Sequence, residues 1–253
     1  MEVLIKPDPA AATLVAAALV VDLIRRKPHA VLALPTGNTP LPLYRELIRR
    51  HREERLDFAR VTTFNLDEYI GLPASHPGSF HHYMDQVLFQ HVNLDPSRRH
   101  LPDGMSRDVD ATCQAYEERI RSAGGLDLVI LGIGTDGHIA FNEPGSSLGS
   151  RTRSKTLTAR TRADNVAAFG ALDRVPKQVI TMGIQTIMEA RQVLLLAFGA
   201  RKAEIIARAV EGPITALVPA SILQFHPAAV TVLDDAAAAR LALLDEYRET
   251  AGR

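Results

Sequence analysis

The sequence predicts an α/β fold: a doubly wound, mostly parallel open sheet with helices on both faces, in a single domain. Three observations carry this expectation. The runs "HAVLALP" (29–35), "LDLVILGIG" (126–134), "QVLLLAFG" (192–199) and "AAVTVLD" (228–234) are apolar throughout, as strands covered on both faces require. Helix-like segments stand between most of them. No fixed-period repeat, low-complexity tract or linker divides the 253 residues, a length that buries a sizeable core as one unit, 1–253.

Each element has its own signal. The apolar run 10–21 imitates a signal-peptide core, but Glu2 precedes it, Asp22 interrupts it, and Arg25, Arg26 and Lys27 follow where a small-residue cleavage site would stand. It is read as a first, amphipathic or buried helix. After the strand at 29–35, "TGNTPLPLYRELIRRH" opens a helix with Leu43, Leu47 and Ile48 at helical spacing. "RVTTFNLDEY" is strand-like, "SFHHYMDQVLFQHV" helix-like, and "DVDATCQAYEERIRSAGG" helical with a glycine stop. "QVITMGI" adds a strand, and "ARKAEIIARAVEG" a helix before the last one. The long, polar and basic segment 146–170 is the expected lid over an active site.

Composition narrows the function. Lysine plus arginine match aspartate plus glutamate at 29 each, so no basic surface for nucleic acid is expected. No apolar stretch reaches the roughly 20 residues of a membrane helix. The single cysteine, Cys113, reads as a buried thiol in a reducing compartment, so a cytoplasmic protein is expected, with no membrane partner.

Chemistry concentrates after the strand at 126–134. Gly132, Gly134 and Gly137 spell G-x-G-x-x-G, but Pro144 and Gly145 cut short any helix, and no acid stands about 20 residues on to hold a ribose. The same loop instead offers Asp136, His138 and Glu143 at the carboxyl end of a buried strand, where open α/β sheets place ligands. Imidazole moves protons near neutral pH, and neighbouring carboxylates hold its tautomer. No second histidine at ligand spacing and no cysteine accompany them, so no metal is expected. Thr36, Gly37, Asn38 and Thr39, between a strand and a helix start, describe either a phosphate cradle or a capped turn. Lys202 stands at a helix start, where its charge opposes the macrodipole unless an anion compensates. Asp67 and Glu68 are adjacent on a strand and point to opposite faces. One of them faces the cleft, and position alone does not choose.

Taken together, "LPTGNTP", "FNLDEYIGL", "HPGSFHHYM", "DGHIAFNEPGSSLGSRTRSKTLT", "VPKQVITMGIQTI", "GARKAEII" and "ASILQFHP" resemble the glucosamine-6-phosphate deaminase family, within the wider group that includes 6-phosphogluconolactonases. The resemblance implies conversion of D-glucosamine 6-phosphate and water to D-fructose 6-phosphate and ammonia, with no cofactor and no metal. It assigns ring opening to His138, its orientation to Asp136 and Glu143, and the C2 proton to Asp67, leaving Glu68 structural. Phosphate binding falls to Thr36, Gly37, Asn38, Thr39 and Lys202. The chain departs from the family where a basic residue follows the asparagine of "T-R-x-x-N" by two: Asn165 is followed by Val166 and Ala167, leaving Arg160 and Arg162 as nearby cations. An N-acetylglucosamine 6-phosphate effector site matches Ser146, Arg153, Lys155 and Thr156, and some members form a homo-oligomer. Tyr247 does not align with the tyrosine those members contribute. The alternatives are a lactonase and a non-catalytic sugar-phosphate sensor.

Overall fold

Strand and helix alternate along most of the chain. The structure, a computed structural model, describes residues 1–166 and 169–250. In order, the elements are β1 (Glu2–Lys6), α1 (Pro9–Arg26), β2 (Val31–Leu34), α2 (Leu41–Glu54), β3 (Thr62–Asn65), β4 (Asp67–Tyr69), α3 (Phe80–Val87), β5 (Arg99–His100) and α4 (Val109–Ser122). Then follow β6 (Leu128–Gly132), β7 (Arg153–Thr156), α5 (Ala159–Asp164), β8 (Gln178–Thr181), α6 (Ile184–Met188), β9 (Gln192–Ala197), α7 (Ala203–Val210), β10 (Ala229–Asp234), α8 (Asp235–Ala238) and α9 (Leu244–Thr250). Short 3-10 turns separate several of them, including Ala200–Lys202 before α7 and Pro219–Phe225 before β10.

Seven strands form one sheet in the order β1-β10-β9-β6-β2-β3-β5, every pair parallel. Their fully apolar sequences are explained by which way alternate residues point. Val31, Ala33, Val129, Leu131, Val193 and Leu195 pack with Tyr116 and Ile120 of α4 and with Ile205 and Ile206 of α7. Their neighbours Leu32, Leu34, Leu128, Ile130, Leu194 and Leu196 pack on the opposite face with α1, α2 and Met84 of α3. Burying each such side chain contributes roughly 1.5–3 kcal/mol, so a polar residue on either face of these strands would be costly.

Local signals set the helix ends. Asp8 accepts from the Ala11 amide at 2.8 Å and Pro9 takes the first turn of α1. Asp108 caps α4 in the same way. The apolar run 10–21 is therefore the middle of a capped helix, and its Ala12, Ala16, Ala17 and Val20 are buried.

The sequence reading placed "RVTTFNLDEY" in one strand and "QVITMGI" beside the others. The chain instead leaves the main sheet at Leu66: β3 pairs with β2, whereas β4 joins β8 and β7 in a separate antiparallel sheet of order β4-β8-β7. Strand β8 is its centre, and Thr181 is the register partner of Asp67 on one side and of Arg153 on the other. Part of the expected lid, 153–156, is thus a strand of this sheet. The edge strand β1 had no signal in the reading.

Strand order reverses between β2 and β6. The chain moves outward from β2 through β3 to β5, then returns to place β6 on the other side of β2. Crevices open at such a reversal, beyond the carboxyl ends of the strands. Asp127, at the opposite end of β6, ties the sheet's base: it accepts from Lys27 Nζ at 2.8 Å, the Val31 amide at 2.8 Å and Arg191 Nη1 at 3.0 Å. Asp127→Ala should lower the unfolding free energy in urea by about 2 kcal/mol, because the buried Val31 amide loses its charged acceptor while both cations still reach water. Its kcat should be unchanged, since the residue lies away from the crevice.

Candidate active site

The crevice is a cleft of about 180 Å³ between the loop after β2 and the loop after β6. Thr36, Gly37, Asn38 and Thr39 line it from one side, Gly132, Ile133, Gly134, His138, Ala140 and Phe141 from the other. Asp67 lies at its base with Leu66.

The loop 35–39 leaves its amides unspent. Gly37 has φ +92°, a conformation open to glycine, and two tyrosines hold the loop from behind. Tyr44 of α2 donates its hydroxyl to the Pro35 carbonyl at 2.5 Å, and Tyr83 of α3 donates to the Gly37 carbonyl at 2.5 Å. No side chain caps α2, whose preceding residue Pro40 is itself helical. The capped-turn alternative is not what the structure adopts. Pro40 and Pro42 carry no N–H and the Leu41 amide donates to the Asn38 carbonyl, so the unspent loop amides and the positive dipole end of α2 are what favour an anion beside the cleft.

Across the cleft, Asp136 accepts from His138 Nδ1 at 2.7 Å and from the His138 amide at 3.2 Å. Burial pushes the Asp136 carboxyl up, but its hydrogen bonds to His138 and the imidazole's charge outweigh that and hold it at about 2. An ionised carboxylate only accepts, so Nδ1 carries the proton and Nε2 is the nitrogen left to exchange one. Gly134 makes the pair possible: a Cβ there would lie 2.2 Å from two atoms of the His138 ring.

Asp67, not Glu68, faces the cleft, which resolves the pair the sequence left open. Glu68 points into the fold, where its oxygens meet the first turn of α3. Asp67 is 5% exposed, and its Oδ1 is buried without a hydrogen-bond partner. Burial, helped by the charge of Glu68, raises its carboxyl to about 8.

Other expected residues fall nearby with different partners. Glu143 is buried, but its carboxylate accepts from the Thr158 amide at 3.1 Å, the Thr158 hydroxyl at 2.9 Å and the Thr161 hydroxyl. It holds the start of α5 rather than His138. Lys202 stands just outside the cleft lining and donates to the Ile133 carbonyl at 2.6 Å, with two further N–H donors to spend. Burial and the neighbouring Arg201 lower its ammonium from the ordinary value. Arg160 of α5 reaches Thr135 at 2.8 Å, on the same loop, whereas Arg162 keeps its Nε buried without a partner. Ala167 lies outside the described residues.

Of the expected effector residues, Ser146 is buried after the cleft loop, while Arg153, Lys155 and Thr156 lie on β7. Arg153 donates to the Asn142 side-chain oxygen at 2.9 Å. Tyr44, Tyr83, Phe80 and Phe141 are not among the residues the sequence singles out, whereas Asn165, named there only for its missing basic neighbour, lines the cleft. Tyr44 had a signal, since it stands one position after Leu43 on a helix whose start was recognised, but its partner is a loop carbonyl that no spacing rule reaches.

A parallel α/β sheet with an imidazole–carboxylate pair and a desolvated carboxylate at its switch point, beside a loop suited to an anion, defines an enzyme of acid–base type acting on anionic substrates. Comparison with known proteins makes this specific. The model of the family "Glucosamine-6-phosphate isomerases/6-phosphogluconolactonase" matches residues 8–232, and the chain belongs to that family. It is 53% identical over 251 residues to the glucosamine-6-phosphate deaminase of Mycolicibacterium smegmatis, covering 99% of this chain and 96% of that one. It is 50% identical to the deaminase of Hahella chejuensis, with 98% and 95% covered. A solved structure described as a monomeric glucosamine-6-phosphate deaminase superposes with a TM-score of 0.93 at 44% identity, covering 95% of this chain and all of that one. The 6-phosphogluconolactonase of Trypanosoma brucei shares the fold, with a TM-score of 0.74 at 22% identity over 95% of this chain and 98% of that one. The expected homo-oligomer gains no support from the monomeric relative. Among the described residues no helix is long and apolar enough to cross a membrane.

The environment of Asp67 costs stability in a pH-dependent way. Its folded value, about 8, lies above the unfolded value of about 3.9. The folded state therefore holds a proton that the unfolded state has released between those pH values, and stability falls as pH rises through that window. Asp67→Asn should raise Tm little at pH 4 and by about 5 °C at pH 9. A gain independent of pH, measured by calorimetry, would contradict this account.

Proposed function

We propose that the chain converts D-glucosamine 6-phosphate and water to D-fructose 6-phosphate and ammonia. The observation that carries this reading is that Asp67 and the Asp136–His138 pair face one cleft, in a chain about half identical to deaminases along its whole length. Bound with its phosphate at Thr36–Thr39 and Lys202, the sugar presents its ring to these groups. His138 carries the anomeric hydroxyl's proton to the ring oxygen as the C1–O bond of the ring breaks, giving the open aldehyde. Asp67 then takes the C2 proton while a proton of the substrate's ammonium passes to O1, forming a cis-enolamine, and returns its own proton to C1. The resulting ketimine adds water at C2 and releases ammonia, leaving the ketone. A carboxylate kept from water is a strong base for a carbon acid, and proton return to the adjacent carbon needs no second group.

Against the lactonase reading stands Asp67, a base that ester hydrolysis does not need, and against the sensor the retention of both acid–base elements. Ammonia and fructose 6-phosphate should appear from millimolar glucosamine 6-phosphate, with 6-phosphogluconolactone hydrolysed no faster than background. Asp67→Asn should lower kcat by about 10²–10⁴-fold with KM little changed. Turnover of the lactone alone would overturn the assignment, and binding without turnover would favour the sensor.

N-acetylglucosamine 6-phosphate is proposed as an effector at Ser146, Arg153, Lys155 and Thr156. Arg153's bond to Asn142 in the catalytic loop supports it. Adding that compound should lower the half-saturating substrate concentration at least twofold, and Arg153→Ala should abolish the response. The buried thiol of Cys113 is consistent with a cytoplasmic setting.

A further inference from the structure

Glu68 adjoins the reactive carboxylate yet faces the other way. It is 1% exposed, and its two oxygens meet five donors. Oε1 accepts from the amides of Tyr69 at 2.8 Å and Phe80 at 3.0 Å. Oε2 accepts from the Ser79 hydroxyl at 2.8 Å, the His81 amide at 3.0 Å and His81 Nδ1 at 2.8 Å. Glu68 thus caps α3 together with Ser79, which accepts from the His81 amide at 3.1 Å, and the same bonds fix strand β4 to that helix.

We propose that Glu68 is a positioning residue for deamination: tethered to α3, it sets the rotation of β4 that turns Asp67 into the cleft and keeps a second carboxylate beside it. The proposal rests on the reading of Asp67 as acceptor of the C2 proton. Neighbouring residues of a strand point to opposite faces, so anchoring one side chain by four bonds to Ser79 and the first turn of α3 dictates where the next one points. Strand β4 is three residues long and pairs with one strand, β8. The tether supplies rigidity that such a short ladder lacks.

The remaining groups around Asp67 leave Glu68 as its charged neighbour. Tyr44 of α2, Tyr116 of α4 and Tyr69 of β4 surround it, and His138 lines the same cleft. Burial pushes all three phenols above their ordinary values, so they are neutral over the working range. On the far side, His81 of α3 is the titratable partner of Glu68, and it is 31% exposed. A like charge close by disfavours a second ionised carboxylate and so makes its conjugate base stronger.

The test is the pH dependence of kcat and kcat/KM of the full chain with glucosamine 6-phosphate. In the unmodified protein the acidic limb of kcat/KM should lie near pH 8, where Asp67 loses its proton. Glu68→Gln should move that limb down by about one pH unit and lower the plateau kcat roughly tenfold, with KM within about twofold. Ser79→Ala, which weakens the cap and leaves the charge, should lower Tm without moving the limb. An unmoved limb in folded Glu68→Gln would overturn the proposal and leave Glu68 as a cap alone. Should that variant not fold, His81→Phe removes one tether and leaves the Glu68 carboxylate, and it should lower the plateau kcat with KM within about twofold. An unchanged kcat there would overturn the proposal equally. Absence of deamination by the unmodified chain would instead fail the reading of the activity.

Discussion

A carboxylate held away from water is costly, and the architecture around the cleft is organised by having one. Asp67 lies under the switch point of the main sheet, on a short strand that belongs to neither β2 nor β3. Apolar walls from Leu66, Phe80 and Phe141 exclude water from it. Two of the three surrounding phenols are spent on backbone carbonyls, Tyr44 on Pro35 and Tyr116 on Asn65, while the Tyr69 hydroxyl is buried without a partner. Glu68 turns in the opposite direction to be satisfied there. The two acids of one strand thus have opposite fates, one fully hydrogen-bonded and one left with an oxygen bare.

The second half of the site works on the reverse principle. Asp136 is satisfied and acidic, and its purpose is to fix the ring of His138. One carboxylate is pushed up by burial and a like charge, and the other is held low, despite its burial, by its hydrogen bonds to His138, so two residues of one type have opposite acidities within one cleft. The loop at 35–39 supplies the third component, a set of backbone donors held open by tyrosine hydroxyls from α2 and α3.

Much of this was legible in the sequence. The runs at 31–34, 128–132, 192–197 and 229–234 declared a parallel sheet because both faces of each strand needed apolar cover. The Asp136–His138 contact was visible because two residues in a tight glycine turn must be neighbours. What remained hidden depended on distant partners. Apolar content said that 178–181 was a strand but not which sheet it joined, because Val179 and Ile180 suit either. Glu143 lay in the right loop, yet its carboxylate is claimed by hydroxyls 15 and 18 residues on. Nothing in its local spacing announces that. Asp67 and Glu68 could not be separated until the first turn of α3 was placed in space.

The break at Leu66 makes the small sheet a beam shared by two parts of the molecule. Thr181 stands as the middle rung, with Asp67 paired to one edge and Arg153 to the other. Neighbouring strands are about 4.8 Å apart, so Asp67 and the segment that continues through Thr158 into α5 are separated by only two such steps. A stiff ladder passes on displacement instead of absorbing it. Sliding of β7 along β8 is therefore registered at the floor of the cleft, and a load on Asp67 leans, through the same three strands, on the stretch of chain that leads into α5.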